Sequence, residues 1–149
     1  MTTGETATVA TGEAAVRRDE CASSRPDLVR ETYRVLDEIY DPCSVASSVP
    51  MGLAEMGVVK SVVVAESGRV VVTLRLTSPF CEMISFMRTE SVRRVEALNG
   101  VSECVVDHDS GFDWDDDMIA PAAAQRRRLR IEAVRREYES SRGALEVQQ

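Results

Sequence analysis

Two valine-rich runs, Val58 to Ala65 and Arg69 to Leu76, are joined by Glu66-Ser67-Gly68. Short β-branched runs across a glycine-containing turn predict a tight antiparallel hairpin. Upstream, Leu28, Thr32, Val35, Leu36 and Ile39 fall on one face of a helix. That helix is expected to open at Ser24-Arg25-Pro26-Asp27, with Ser24 as the cap and Pro26 in the first turn, and to end at Asp41-Pro42. Residues 43–55, which include Pro50 and Gly52, read as a loop. After the hairpin, Met83, Phe86, Met87, Val92, Val95 and Leu98 predict a second inward-facing helix, stopped by Asn99-Gly100. Val101 to Val106 reads as a third strand, followed by an acidic loop from Asp107 to Asp117. From about Ala122 to Ser140, Leu129, Ile131, Val134 and Tyr138 form a narrow apolar stripe among arginines, predicting a polar C-terminal helix.

The order helix, strand, strand, helix, strand, plus a C-terminal helix, predicts a small two-layer α+β domain on a sheet of about three strands. Residues 1–24 are rich in Thr, Ala, Gly and Glu with no apolar period, and are expected to be a disordered leader. Residues 25–120 would then be the domain, and 121–149 an arginine-rich helix and tail. Sheet edges left open by only three strands call for cover, which a second copy could supply as a homodimer.

The 149 residues carry a net charge of −7. An acidic balance argues against nucleic acid or an anionic membrane as partner. No apolar run is long enough to span a bilayer, and the first residues lack the pattern of a signal peptide, so a cytoplasmic protein with reduced thiols is expected. The four cysteines, Cys21, Cys43, Cys81 and Cys104, are too irregularly spaced for a zinc ribbon or disulfide scaffold. Cys104 sits in the third strand and reads as core, whereas Cys21 falls in the leader.

Cys81 reads in two ways, as a small buried apolar residue, the common fate of a free cysteine, or as a reactive thiol. It ends the run Leu74-Arg75-Leu76-Thr77-Ser78-Pro79-Phe80-Cys81, just before the residues that read as the first turns of a helix. A thiol at that junction faces unpaired N–H groups and the positive end of a helix dipole, which favour the thiolate that binds soft metals. A nucleophilic enzyme would also need a base, and His108 is the only histidine, with nothing to place it beside Cys81. No Gly-rich phosphate loop or hydrolase motif is present, so the chain does not read as an enzyme.

In register over much of the chain, these segments resemble the PaaD/SufT-type iron–sulfur assembly domain, also found in the eukaryotic cytosolic iron–sulfur targeting complex. The first helix ends in Asp41-Pro42, as the family's ends in Asp-Pro-Glu. Met51-Gly52-Leu53 through Gly57-Val58-Val59 is similar to the segment ending Leu-Gly-Leu-Val, and Leu76-Thr77-Ser78-Pro79-Phe80-Cys81 to the Leu-Thr-Thr-Pro-Gly-Cys-Pro signature. Leu98-Asn99-Gly100-Val101 and Trp114 to Met118 match the closing segments. The resemblance implies a factor that helps mature an apo-metalloenzyme client, a multicomponent oxygenase in one branch, alongside other iron–sulfur assembly proteins. It further implies a transiently held iron–sulfur cluster and one surface site gathering Asp41, Thr77, Ser78 and Cys81, with Cys81 as the metal ligand and Asp41, Thr77 and Ser78 shaping its loop.

This chain departs from the pattern at three points. Cys43 replaces the family glutamate, Phe80 the glycine before the signature cysteine, and Glu82 the proline after it. If the two loops meet as in the family, Cys43 and Cys81 would form a two-thiolate site that holds a metal or cluster or closes a reversible disulfide; the alternative is that Cys43 fills a buried gap left by the glutamate and never meets Cys81. Phe80 would strain the loop wherever the family backbone needs positive φ. The alternative function is a metal-free chaperone or interaction module dedicated to a metalloenzyme. Asp107 to Asp117 fails the calcium-loop template, with Gly111 and Met118 at ligand positions, so it reads as a solvated loop capped by Asp115 or Asp116, with Trp114 packed on the core. The arginines 126–128, 130, 135 and 136 lack interleaved aromatics for nucleic acid and read as a solvated helix that pairs with the acidic loop or an acidic client.

Overall fold

The computed structural model describes residues 12–146. Its elements are helix α1 (Gly12–Ala22), α2 (Pro26–Asp37), a short α3 (Pro42–Ala46), strands β1 (Val59–Val64) and β2 (Arg69–Leu74), α4 (Ile84–Glu96), β3 (Glu103–His108), a 3-10 turn at Asp116–Met118, and α5 (Pro121–Glu146). The predicted α+β order is therefore observed, with two helices added at the front.

The hairpin forms because Gly68 takes a φ of +86°, closing the turn between two β-branched strands. β2 is central: β1 pairs with it antiparallel and β3 parallel, with Val72 opposite both Val62 and Val106. A parallel partner needs a crossover, and α4 supplies it. On the inward face Val62, Val64, Val70, Val72, Leu74, Cys104 and Val106 are buried beneath Val29 and Leu36 of α2 and Met87 and Val95 of α4. Each fully buried valine contributes about 1.5 kcal/mol or more, so this layer carries the fold.

Three expectations change. The segment 12–22, expected to belong to a disordered leader, is helical, and residues 1–11 of that leader lie outside the described residues. Val16 packs α1 against the core, and a buried carboxylate ties it down. Asp19, 3% exposed, accepts hydrogen bonds from the Tyr33 hydroxyl (2.7 Å), the Val62 amide (2.8 Å) and Arg18 Nε (2.9 Å). Burial, then Asp19, holds the Tyr33 phenol protonated well above its usual range. Second, the cap of α2 is Arg25, not Ser24, whose amide instead bonds the Val64 carbonyl of β1. Third, Phe86 on α4 points outward at 44% exposure; the buried face of that helix is Met87, Ser91 and Val95.

Candidate functional site

Asp41-Pro42 does not simply end a helix. α2 stops at Asp37, and Asp41 caps the next helix: Pro42 occupies its first turn, and the Asp41 carboxylate accepts the Ser44 amide at 2.7 Å. Ser44 Oγ donates to the Asp41 carbonyl (2.7 Å) and accepts the Met51 amide (3.0 Å), while the Asp41 amide reaches the Met51 carbonyl. Both Asp41 and Ser44 are buried. Asp41 therefore shapes its loop, and in doing so presents Cys43 on the exposed side of α3.

The second loop leaves β2. Thr77 and Ser78 are half-buried; Ser78 Oγ accepts the Phe80 amide (3.2 Å), and the Ser78 carbonyl accepts the Cys81 amide (3.2 Å). This double turn sets Cys81 half-buried against the core, beside a Phe80 that is 88% exposed. Helix α4 opens at Ile84 with Met83 as its cap, later than the sequence placed it, so Cys81 lies two residues before the cap rather than directly at the helix junction. The strain expected at Phe80 is absent: among described residues Ser48 is the only non-glycine with positive φ.

The Cys43 thiol is pushed up by the Asp41 carboxylate, then by slight burial, then by charge on Cys81. Cys104 is elsewhere, in the core, where burial raises its thiol to about 11. Cys21 lies exposed on α1.

The acidic loop after β3 supports the Cys81 loop from behind, a role the sequence reading did not assign. Asp109 Oδ1 accepts the amides of Leu76 and Gly111, both at 3.0 Å, and the Asp109 amide bonds the Leu74 carbonyl. Gly111, at φ +82°, lies so close to the Ser78–Pro79 backbone that an added Cβ would sit 2.5 Å from Pro79 N. Arg75 Nε bonds Asp113 at 2.8 Å and holds its carboxyl below the usual range, with Lys60 assisting at 3.2 Å. Asp115 caps the 3-10 turn, and Trp114 packs on the core while Nε1 donates to the Met56 carbonyl (2.9 Å). Phe112 is 82% exposed, so all three phenylalanines of the chain face solvent.

Residues 31–107, just over half of the chain, match the family model described as iron-sulfur cluster assembly protein. The chain belongs to that family. The matched span holds both loops, from Asp41 and Cys43 through to Ser78 and Cys81. Among curated proteins, a "Fe-S protein maturation auxiliary factor" of Porphyromonas gingivalis (strain ATCC BAA-308 / W83) is 29% identical over 105 residues, 70% of this chain and 91% of the relative. Among solved structures, a domain of unknown function, DUF59, from Bacillus anthracis superposes with a TM-score of 0.56 at 21% identity, covering 65% of this chain and 88% of that one; this likeness speaks to the fold. The family assignment agrees with the donor chemistry present, since thiolates are the ligands of iron–sulfur clusters. Among the described residues no group of three or more His, Cys, Asp or Glu is gathered to hold a metal ion.

Proposed function

We propose that this member of the iron–sulfur cluster assembly family is an auxiliary maturation factor that works through Cys81. The observation that carries the reading is the family match spanning both the Asp41–Cys43 and the Thr77–Cys81 loops. Cys81 is the primary ligand of a transiently held iron–sulfur cluster, and Cys43 is the second sulfur. Coordination positions left open on the cargo are then available to the cysteines of an apo-metalloenzyme client. Asp41 and Ser78 act by positioning the two thiols through their capping and turn hydrogen bonds, with Thr77 in the same loop. The assembly unit spans residues 25–120 and acts in the cytoplasm, receiving its cargo from other iron–sulfur assembly proteins and turning over no substrate. A multicomponent oxygenase is the first client to test.

A second reading is favoured by one observation, the exposed Phe80, Phe86 and Phe112. In it the protein is a metal-free docking module for the same kind of client. Anaerobic reconstitution with iron and sulfide separates the two. The maturation reading expects sulfide-to-iron charge-transfer absorption with stoichiometric iron, abolished in Cys81→Ala and weakened in Cys43→Ser. A wild type that takes up neither iron nor sulfide would leave only the docking module.

A further inference from the structure

Helix α5 runs 26 residues, about 39 Å, and only its first turns touch the domain, through buried Ala123 and half-buried Ala124. Continuing along that face at alternating steps of three and four lie Arg127, Ile131, Val134, Tyr138 and Ser141. Ile131, Val134 and Tyr138 are 56%, 45% and 63% exposed. Spacing of 3-4-3-4 is the pattern of a helix that packs along another helix. In heptad terms Ala124, Ile131 and Tyr138 are a positions, and Arg127, Val134 and Ser141 are d positions. Arginines 128, 135 and 142 then fall at every e position, with Arg130 and Glu137 at successive g positions. At its base the stripe forms one wall of a groove of about 410 Å³, where Arg130, Ile131 and Val134 face Met51, Trp114 and Cys43.

Charge decides what fits. An antiparallel second copy would set Arg135 against its own counterpart and Arg128 against Arg142; a parallel copy would set Arg130 against Arg135, offset further along by Glu137 against Arg142. Like charges along the e edge of an antiparallel pair oppose association, whereas carboxylates of a partner helix there would meet the guanidinium groups of Arg128 and Arg135, with Arg130 on the other flank. Arg126 and Arg127 already show this preference within the chain, pairing with Glu55 and Asp116 at 2.8 and 2.9 Å.

We propose that α5 is a docking rail for an acidic amphipathic helix of another protein, which lays apolar residues on Ile131, Val134 and Tyr138 and carboxylates on the flanking arginines. Its end would enter the groove beside Cys43. The rail is defined by α5 itself and stands whether or not Cys81 handles a cluster.

The test uses the full chain and a fluorescent three-heptad peptide with Leu at a and d and Glu at e and g. The same peptide with Lys at e and g is the control. Fluorescence anisotropy is expected to show at least roughly tenfold tighter binding of the Glu peptide, weakening as salt is raised. Ile131→Ser/Val134→Ser/Tyr138→Ser should abolish binding. Arg128→Gln/Arg130→Gln/Arg135→Gln should remove the preference for Glu over Lys. All six positions are exposed, and circular dichroism checks that α5 stays helical. Equal affinity for the two peptides, no binding by wild type, or binding that survives loss of the stripe would overturn the proposal. So would a wild-type dimer, seen by sedimentation, that the triple serine variant converts to monomer, since the occupant would then be a second copy.

Discussion

Replacing Gly111 by alanine adds one methyl group where the acidic loop touches the Cys81 loop. Two effects add. At φ +82° an L-residue carries about 1–2 kcal/mol of backbone strain. The new Cβ would also sit 2.5 Å from both Pro79 N and the Ser78 carbonyl carbon, so that backbone must withdraw by about 1 Å to restore van der Waals contact. Overpacking of this kind costs about 1–3 kcal/mol, giving a total loss near 2–5 kcal/mol. The displaced atoms include the Ser78 carbonyl that accepts the Cys81 amide, so the thiol moves with the loop. Gly68→Ala is the matched control: its φ is +86° and its Cβ would meet the Gly100 carbonyl, in the turns at the other end of β2. Urea unfolding should show both variants destabilised. Cys81 labelling by a thiol reagent, read by mass spectrometry under native conditions, should change in Gly111→Ala and not in Gly68→Ala. Unchanged stability and unchanged Cys81 labelling in Gly111→Ala would refute the argument that this contact sets the loop.

Asp19→Ala should destabilise by about 2–4 kcal/mol, because it strands the Tyr33 hydroxyl and the Val62 amide; a change within 0.5 kcal/mol in denaturant would show that α1 is not anchored as described. Cys104 gives a pH signature. Its folded thiol is raised to about 11 from 9.0, so its stabilisation is whole below pH 9 and is lost as pH rises towards 11, by up to about 3 kcal/mol. Thermal melts across that window should fall more steeply for wild type than for Cys104→Ala, and parallel slopes would count against it. Phe80→Ser and Phe112→Ser should leave the melting temperature within about 2 °C, since both side chains lie in water, while lowering client affinity; a marked loss of stability would mean these rings pack in the fold.

The hairpin, the two-layer order and the buried valines were legible in the sequence because each rests on local periodicity and turn chemistry. Helix α1 was not: it is tied down by a buried carboxylate, Asp19, whose partners lie 14 and 43 residues away, and composition carries no trace of such a bond. Short-range chemistry also misled at Asp41-Pro42, where a helix stop and a helix start share the same residues. There the later Ser44 and Met51 bonds decide in favour of the start. At the site, Cys43 and Cys81 were legible only as matches to a family pattern. Asp109 and Gly111, which brace the Cys81 loop from a later segment, were read from sequence only as part of a solvated acidic loop, with Gly111 as a failed calcium ligand; the positive φ that calls for glycine there belongs to the fold. Phe86 fitted the apolar period of α4 yet is 44% exposed, because the buried face of that helix runs through Met87, Ser91 and Val95.

The most direct test of the central claim is iron loading of client proteins in the source cell. The gene would be deleted and restored as wild type or as Cys81→Ala, with radioactive iron followed into separated iron–sulfur enzymes. The account predicts at least one enzyme that accumulates with depleted iron in the deletion, regains it with wild type and does not with Cys81→Ala. Equal iron in every enzyme with and without the gene, or full rescue by Cys81→Ala, would contradict it.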